Sequence, residues 1–88
     1  MTVEGAPIIV TLYARPGCHL CDEARERLEA MRSQGAGFEL REIDIESDHG
    51  LHRRMLELIP VVEVNGERVS ELMLDEGAVL ARTGTLSP

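Results

Sequence analysis

The sequence predicts an α/β fold, a four-stranded mixed sheet with helices packed on it, from three observations. Short apolar and β-branched runs predict strands, and amphipathic segments of helical period stand between them. Asn65-Gly66 separates two of these runs and is typical of a tight hairpin turn. The last segment is again helical, which gives the order β-α-β-α-β-β-α. For 88 residues we expect one domain, residues 1–88, with its core between about residues 8 and 82.

The first strand leads directly into the first helix. Residues 8–13 form an apolar run bounded by Pro7 and by Arg15-Pro16-Gly17, which predicts a buried strand. The next segment repeats apolar residues every three or four positions, which predicts an amphipathic helix. We expect its buried face to carry Leu20, Ala24, Leu28 and Met31. Two glycines in residues 33–37 end this helix.

The middle of the chain predicts a second strand and a short helix. Residues 38–45 alternate, but the apolar phase changes between Leu40 and Ile43, which predicts a bulge or the strand's end near Glu42. Ser47 or Asp48 is expected to cap a short helix. This helix should end before Pro60, because the residue preceding a proline is disfavoured in a helix. Its buried side is expected to carry Leu51, Met55 and Leu56.

Two further strands and a last helix complete the predicted order. Residues 61–64 and 67–70 flank Asn65-Gly66, whose two residues suit the positive φ angles of a type I′ turn. We expect a helix over residues 75–82 with Val79 and Leu80 inward, and a frayed tail over residues 83–88. The early crossovers imply parallel pairing, and the hairpin adds an antiparallel edge.

Cys18 and Cys21 are the two cysteines of the chain, and their Cys-x-x-Cys spacing points to redox chemistry. Cys18 stands at the predicted helix start, where free backbone N–H groups and the helix dipole favour a thiolate. This position suits a nucleophile. Cys21, one turn further into the helix, should be shielded and suits the resolving role.

Two other roles for the cysteine pair remain open. A stabilising disulfide gains little from so short a loop. A zinc site can also use Cys-x-x-Cys, with His49 and His52 as further ligands. The gap from Cys21 to His49 is much longer than in common Cys2His2 sites, which span about 12–15 residues. We therefore expect no metal.

Composition limits the partners and the location. A net charge of −7, with one Tyr and one Phe, argues against nucleic acid and anionic membranes as partners. No apolar run approaches the ~18 residues of a membrane span. The first residues lack the basic and apolar pattern of a leader, so we expect a cytoplasmic protein. We also expect a monomer. A cysteine pair is held reduced in the cytosol, which favours catalysis over a permanent bridge.

The element order, the cysteine pair after the first strand and Ile59-Pro60 before the third strand resemble the thioredoxin fold. The small glutaredoxin-like proteins of bacteria are the most similar branch. The resemblance implies a thiol–disulfide oxidoreductase that reduces protein or mixed disulfides. It also implies a cis Ile59-Pro60 bond facing the cysteines, and substrate contact by Ile59, Pro60 and the backbone of Val61.

Two side chains near the cysteines have open roles. Arg15 stands where glutaredoxins carry a basic residue that contacts a glutathione carboxylate; otherwise it is a surface arginine. His19 either contacts substrate and favours the Cys18 thiolate, or is an exposed turn histidine.

The segment after the last strand departs from the family pattern. Glutaredoxins usually carry Gly-Gly-x-Asp there, whereas residues 70–75 read Ser-Glu-Leu-Met-Leu-Asp. We therefore expect no bound cofactor and weak use of glutathione. Electrons should come from another low-molecular-weight thiol or a flavin-dependent thioredoxin-type reductase. A metal or iron–sulfur module and a non-catalytic thioredoxin-fold interaction domain are the alternatives.

Overall fold

The computed structural model describes residues 7–83, which form a four-stranded sheet and three helices. A 3-10 turn at Ile45–Ser47 separates the second strand from the second helix. In chain order the elements are β1 (Ile9–Ala14), α1 (His19–Ser33), β2 (Glu39–Asp44), α2 (His49–Met55), β3 (Val61–Val64), β4 (Glu67–Glu71) and α3 (Glu76–Thr83). The predicted order is therefore confirmed. The expectations for the leader region and for the tail beyond Thr83 lie outside the described residues, and Thr83 itself ends α3.

The strand order in the sheet is β2-β1-β3-β4. β1 pairs in parallel with β2 and antiparallel with β3, and β3 pairs antiparallel with β4. The mixed sheet is thus confirmed. Parallel pairing holds for the first crossover alone, since the connection through α2 brings β3 back antiparallel to β1.

α1 buries the predicted face at Ala24, Leu28 and Met31, but its first buried residue is Cys21 and not Leu20. Leu20 is 47% exposed, whereas Cys21 is fully buried. The buried residues of α1 are Cys21, Ala24, Leu28 and Met31. Their spacings of three, four and three follow one helical stripe, and Leu20 lies at its margin. The helix ends as expected, with Gly35 at φ +110° just beyond it.

The expected irregularity in β2 is not present. The parallel register runs without a break from the pair Ile9–Glu39 to the pair Ala14–Asp44. Leu40 lies opposite Val10, and Ile43 lies opposite Tyr13 in this register, so the two apolar residues face opposite sides of the sheet. Both are half-buried. The change of phase therefore reflects apolar contacts on both faces, which is common where a sheet is covered on both sides.

Asp48, and not Ser47, caps α2. Its Oδ1 accepts hydrogen bonds from the backbone N–H groups of Gly50, at 2.7 Å, and Leu51, at 3.2 Å. Met55 is buried as predicted, but Leu56 is 39% exposed because it follows the last helical residue and leaves the apolar stripe.

The hairpin between β3 and β4 forms at the predicted turn. Asn65 and Gly66 have φ values of 51° and 86°, as a type I′ turn requires. The Asn65 side chain also accepts a hydrogen bond of 2.9 Å from the Ile9 backbone N–H. Asp75 precedes α3 and accepts a bond from the Ala78 N–H. α3 buries Val79, whereas Leu80 is half-buried.

Within residues 7–83, no helix has the length and hydropathy that a membrane-spanning segment needs.

Candidate redox site

The strand pairing brings four chain segments to one edge of the sheet. β1 and β2 both end there, since Ala14 pairs with Asp44. β3 begins at this edge and β4 ends at it, because Val61 pairs with both Tyr13 and Glu71. The cysteine loop after β1, the proline before β3 and the turn after β4 therefore meet at one place.

Cys18 and Cys21 form a disulfide, with their Cα atoms 5.2 Å apart. Cys18 is the N-cap of α1, and its Sγ accepts a hydrogen bond of 3.2 Å from the Cys21 backbone N–H. In the reduced protein the same N–H group and the positive end of the helix dipole stabilise a thiolate on Cys18. The predicted position at the helix start is thus what the structure shows.

The two cysteines differ in solvent accessibility. Cys18 is half-buried, whereas Cys21 is fully buried among the core residues. Cys18 is therefore the more accessible of the two cysteines. The helix holds the two residues one turn apart, which allows the disulfide that they form.

The Ile59-Pro60 bond is cis, as predicted. Ile59 is 7% exposed and Val61 is 0% exposed, and Pro60 is also fully buried. The structure places this turn at the same edge as the cysteines but leaves little of its surface accessible. The contact of Ile59, Pro60 and Val61 with substrate remains a prediction.

Arg15 and His19 both have acidic partners. Arg15 Nη1 lies 3.6 Å from Glu46 Oε2, and both side chains are partly exposed. His19 Nε2 lies 2.7 Å from Glu23 Oε2, and the His19 side chain is 84% exposed. The Arg15 guanidinium therefore already has a carboxylate partner in Glu46.

Arg25, on α1 close to the cysteines, pairs with two carboxylates. Its guanidinium donates to Asp22 Oδ1 at 2.9 Å and to Glu42 Oε1 at 2.7 Å. The hydrogen bonds that Arg25 donates to Glu42, and secondly to Asp22, raise the pKa of Arg25 above its usual value. This network ties the first turns of α1 to β2 and counters the negative charge of Asp22 beside the disulfide.

The two histidines suggested for a metal site lie on α2. His49 and His52 line a surface groove together with Glu46. Over residues 7–83, no three His, Cys, Asp or Glu side chains are arranged to hold a metal ion.

The turn after β4, where glutaredoxins carry Gly-Gly-x-Asp, lies at this edge, but Leu72 and Met73 are not among the site residues that the sequence predicts. Leu72 there has a φ of +69°, and Leu72 and Met73 are 48% and 74% exposed. The available signal was the apolar Leu72-Met73-Leu74 run in the place of the Gly-Gly turn.

A mixed sheet in the order β2-β1-β3-β4 with Cys-x-x-Cys opening α1 defines a glutaredoxin-like protein of the thioredoxin fold. A model of the glutaredoxin-like domain, DUF836, matches residues 9–82, and the chain belongs to this family.

Several solved structures are similar to the chain. A protein from Nitrosomonas europaea, solved by solution NMR, is 28% identical with a TM-score of 0.75, and the match covers 92% of this chain and 96% of that one. An X-ray structure from X. campestris is 29% identical with a TM-score of 0.66 and coverages of 82% and 91%. Glutaredoxin from Brucella melitensis is 27% identical with a TM-score of 0.60 and coverages of 94% and 98%. No curated protein matches the sequence.

Proposed function

We propose that this protein is a thiol–disulfide oxidoreductase with Cys18 as nucleophile and Cys21 as resolving thiol. The observation that carries the proposal is the asymmetry of the pair. Cys18 caps α1 and is accessible, whereas Cys21 is fully buried. A bond made only for stability has no need of this difference.

The reaction proceeds by two exchanges. The Cys18 thiolate attacks one sulfur of a substrate disulfide, forms a mixed disulfide and releases the other substrate sulfur as a thiolate. Cys21 then loses its proton and attacks the Cys18 sulfur, which releases the second substrate thiolate. The substrate gains two electrons, and the protein is left with the Cys18–Cys21 disulfide.

Single-cysteine variants test the division of roles. Cys18→Ser should abolish disulfide reduction, because the buried Cys21 cannot reach a substrate. Cys21→Ser should accumulate the mixed disulfide and retain part of its activity toward glutathionylated substrates. The measurements are single-turnover reduction of a mixed disulfide and mass spectrometry of the trapped adduct.

Each cysteine variant is the matched control for the other. Equal alkylation rates of the two thiols in the reduced wild type at neutral pH would contradict the assignment. Full activity of Cys18→Ser would contradict it as well.

We further propose that glutathione is a poor electron donor for this protein. Arg15 is already paired with Glu46. Glu71 lies at the end of β4, and Leu72 follows where the family carries its glycine turn. Glutathione is anionic, and the net charge of −7 opposes its capture. Another low-molecular-weight thiol or a flavin-dependent thioredoxin-type reductase is the better donor.

Steady-state reduction of one mixed disulfide, driven by each donor system in turn, tests this proposal. Turnover with glutathione should be at least about tenfold slower than with the flavin reductase system, in keeping with one lost bidentate carboxylate contact. Arg15→Glu is compared with Arg41→Glu, an exposed arginine on β2. Efficient turnover with glutathione that is lost in Arg15→Glu and kept in Arg41→Glu would refute the proposal.

A further inference from the structure

An apolar groove lies between α1 and the turn after β4. It is lined by Leu20, Ala24, Leu72, Met73 and Leu74, and has a volume of about 160 Å³. Four large hydrophobic residues are exposed within residues 7–83, and three of them, Leu20, Leu72 and Met73, lie in this groove. Exposed apolar side chains that cluster in this way mark an interaction surface.

The groove begins beside the disulfide. Leu20 directly precedes Cys21 in the first turn of α1, and Ala24 continues the same side of the helix one turn later. On the opposite wall, Leu72 follows β4 at the sheet edge that also holds Pro60. The Leu72 backbone N–H donates to the Leu58 carbonyl at 2.8 Å, which joins this wall to the segment before Pro60.

Leu72 has an unusual backbone conformation. Its φ of +69° lies in the left-handed region, which a leucine seldom adopts and a glycine adopts without cost. The chain nevertheless carries a leucine there, and half of that side chain is exposed. Backbone strain retained at an exposed apolar residue points to a binding role for the side chain.

The rim of the groove is acidic. Glu23 and Glu76 line it together with Arg27. Arg27 donates to both carboxylate oxygens of Glu76, at 2.8 and 3.0 Å, so these two charges offset each other. Glu23, whose Oε2 lies 2.7 Å from His19 Nε2, supplies the remaining negative charge of the rim. A cationic group is favoured at this rim, and an anion is repelled.

We propose that the groove holds an apolar side chain adjacent to the reactive cysteine of a protein disulfide, with a basic residue nearby on the same segment. This inference rests on the oxidoreductase function proposed above and names its substrate class. The size agrees, since a cavity of about 150 Å³ holds a benzene-sized group. The acidic rim supplies the charge complementarity for the basic residue.

Two disulfide-linked peptide dimers test this substrate class. In one the cysteine is flanked by Leu and Arg, and in the other by Ser and Arg. Pre-reduced protein is mixed with each dimer, and the second-order rate constant of exchange is measured. The leucine peptide should react about tenfold faster in the wild type, as expected for partial burial of one leucine side chain.

Variants locate the preference in the groove. Leu72→Asn should reduce the ratio of the two rate constants to about twofold or less, since asparagine accepts a positive φ but is polar. Met73→Ser tests the groove without changing the residue at positive φ. Leu56→Asn is the matched control, because Leu56 is a similarly exposed leucine outside the groove. It should keep the wild-type ratio.

The results expected if the groove proposal fails differ from those expected if the oxidoreductase function fails. Equal rates for the two peptides in the wild type, or an unchanged ratio in both groove variants, would overturn the groove inference and leave the oxidoreductase function standing. No exchange with either peptide would overturn both.

Discussion

At the scale of single residues, some positive φ angles are occupied by residues that suit them, and one is occupied by a residue that does not. Asn65 and Gly66 occupy such angles in a turn that the sequence marks clearly. Leu72 occupies one with a side chain that is poorly suited to it. Local sequence preference and backbone therefore agree at the hairpin and conflict beside the redox site, where conflicts of this kind tend to be functional.

The conflict at Leu72 predicts an unusual order of stability. Leu72→Gly should be more stable than Leu72→Ala by about 1 kcal/mol, because both variants lose the side chain but alanine keeps the Cβ that disfavours the left-handed region. Equilibrium urea unfolding of the two variants measures the difference.

The matched pair at Leu56 should show the opposite order. Leu56 has helical angles, φ −54° and ψ −38°, so Leu56→Ala should be more stable than Leu56→Gly by about 0.5–1 kcal/mol. The same order at both positions would contradict the assigned backbone conformation of Leu72.

At the scale of elements, ion pairs connect α1 to its neighbours on both sides. Arg25 bonds Glu42 on β2, and Arg27 bonds Glu76 at the start of α3. Arg82 on α3 in turn bonds Glu67 on β4. These charged contacts lie at the exposed margins of the elements. Exposed ion pairs add little to the free energy of unfolding, so their main effect is on how the elements are oriented to one another.

The pair between α1 and α3 predicts a pH dependence. The hydrogen bond from Arg27 holds the pKa of Glu76 below its usual value. The contribution to stability is therefore complete above the unfolded pKa, about 4.3, and is lost as the pH falls through the folded pKa. Glu76→Gln should be less stable than the wild type at pH 7, and the difference should be smaller at pH 3.

Thermal unfolding of Glu76→Gln and Glu26→Gln at both pH values measures this effect. Glu26 is an exposed residue of α1, and its substitution removes the same formal charge, so it controls for the change in net charge. A pH-dependent difference of the same size in Glu26→Gln would show that net charge, and not the Arg27 contact, is responsible.

At the scale of the whole molecule, β1 is the centre of the structure. It lies between β2 and β3, and it contributes Val10 and Leu12, which are fully buried, and Ala14, which is 1% exposed. The cysteine loop follows this strand directly. The redox site is thus attached to one of the two central strands of the sheet.

The position of β1 predicts a gradient of amide hydrogen exchange. Amides of β1, such as that of Leu12, should be the slowest to exchange, since they open only with the whole sheet. Amides of the edge strand β4, such as that of Arg68, should exchange at least about tenfold faster through local opening. Exchange followed by NMR measures both, and similar protection in the two strands would contradict this picture.

Structural features that depend on residues close together in the chain could be predicted from the sequence. The first strand, the helix that begins after Cys18, the Asn65-Gly66 hairpin and the cap at Asp48 all depend on local preferences, and each is present. The family resemblance also predicted the cis Ile59-Pro60 bond, which the local sequence permits but does not require.

The remaining features depended on contacts between distant segments. Periodicity shows which side chains share a face, but not which part of that face another element covers. The pattern therefore predicts Leu20 in the core, although this residue borders a groove. The direction of β3 and the meeting of Leu20 with Leu72 follow from the sheet order. The sequence by itself determined where the Cys18–Cys21 pair stands, because capping and turn formation are local. The tertiary structure decided which surface lies beside that pair, because packing across the sheet edge joins residues about fifty positions apart in the chain.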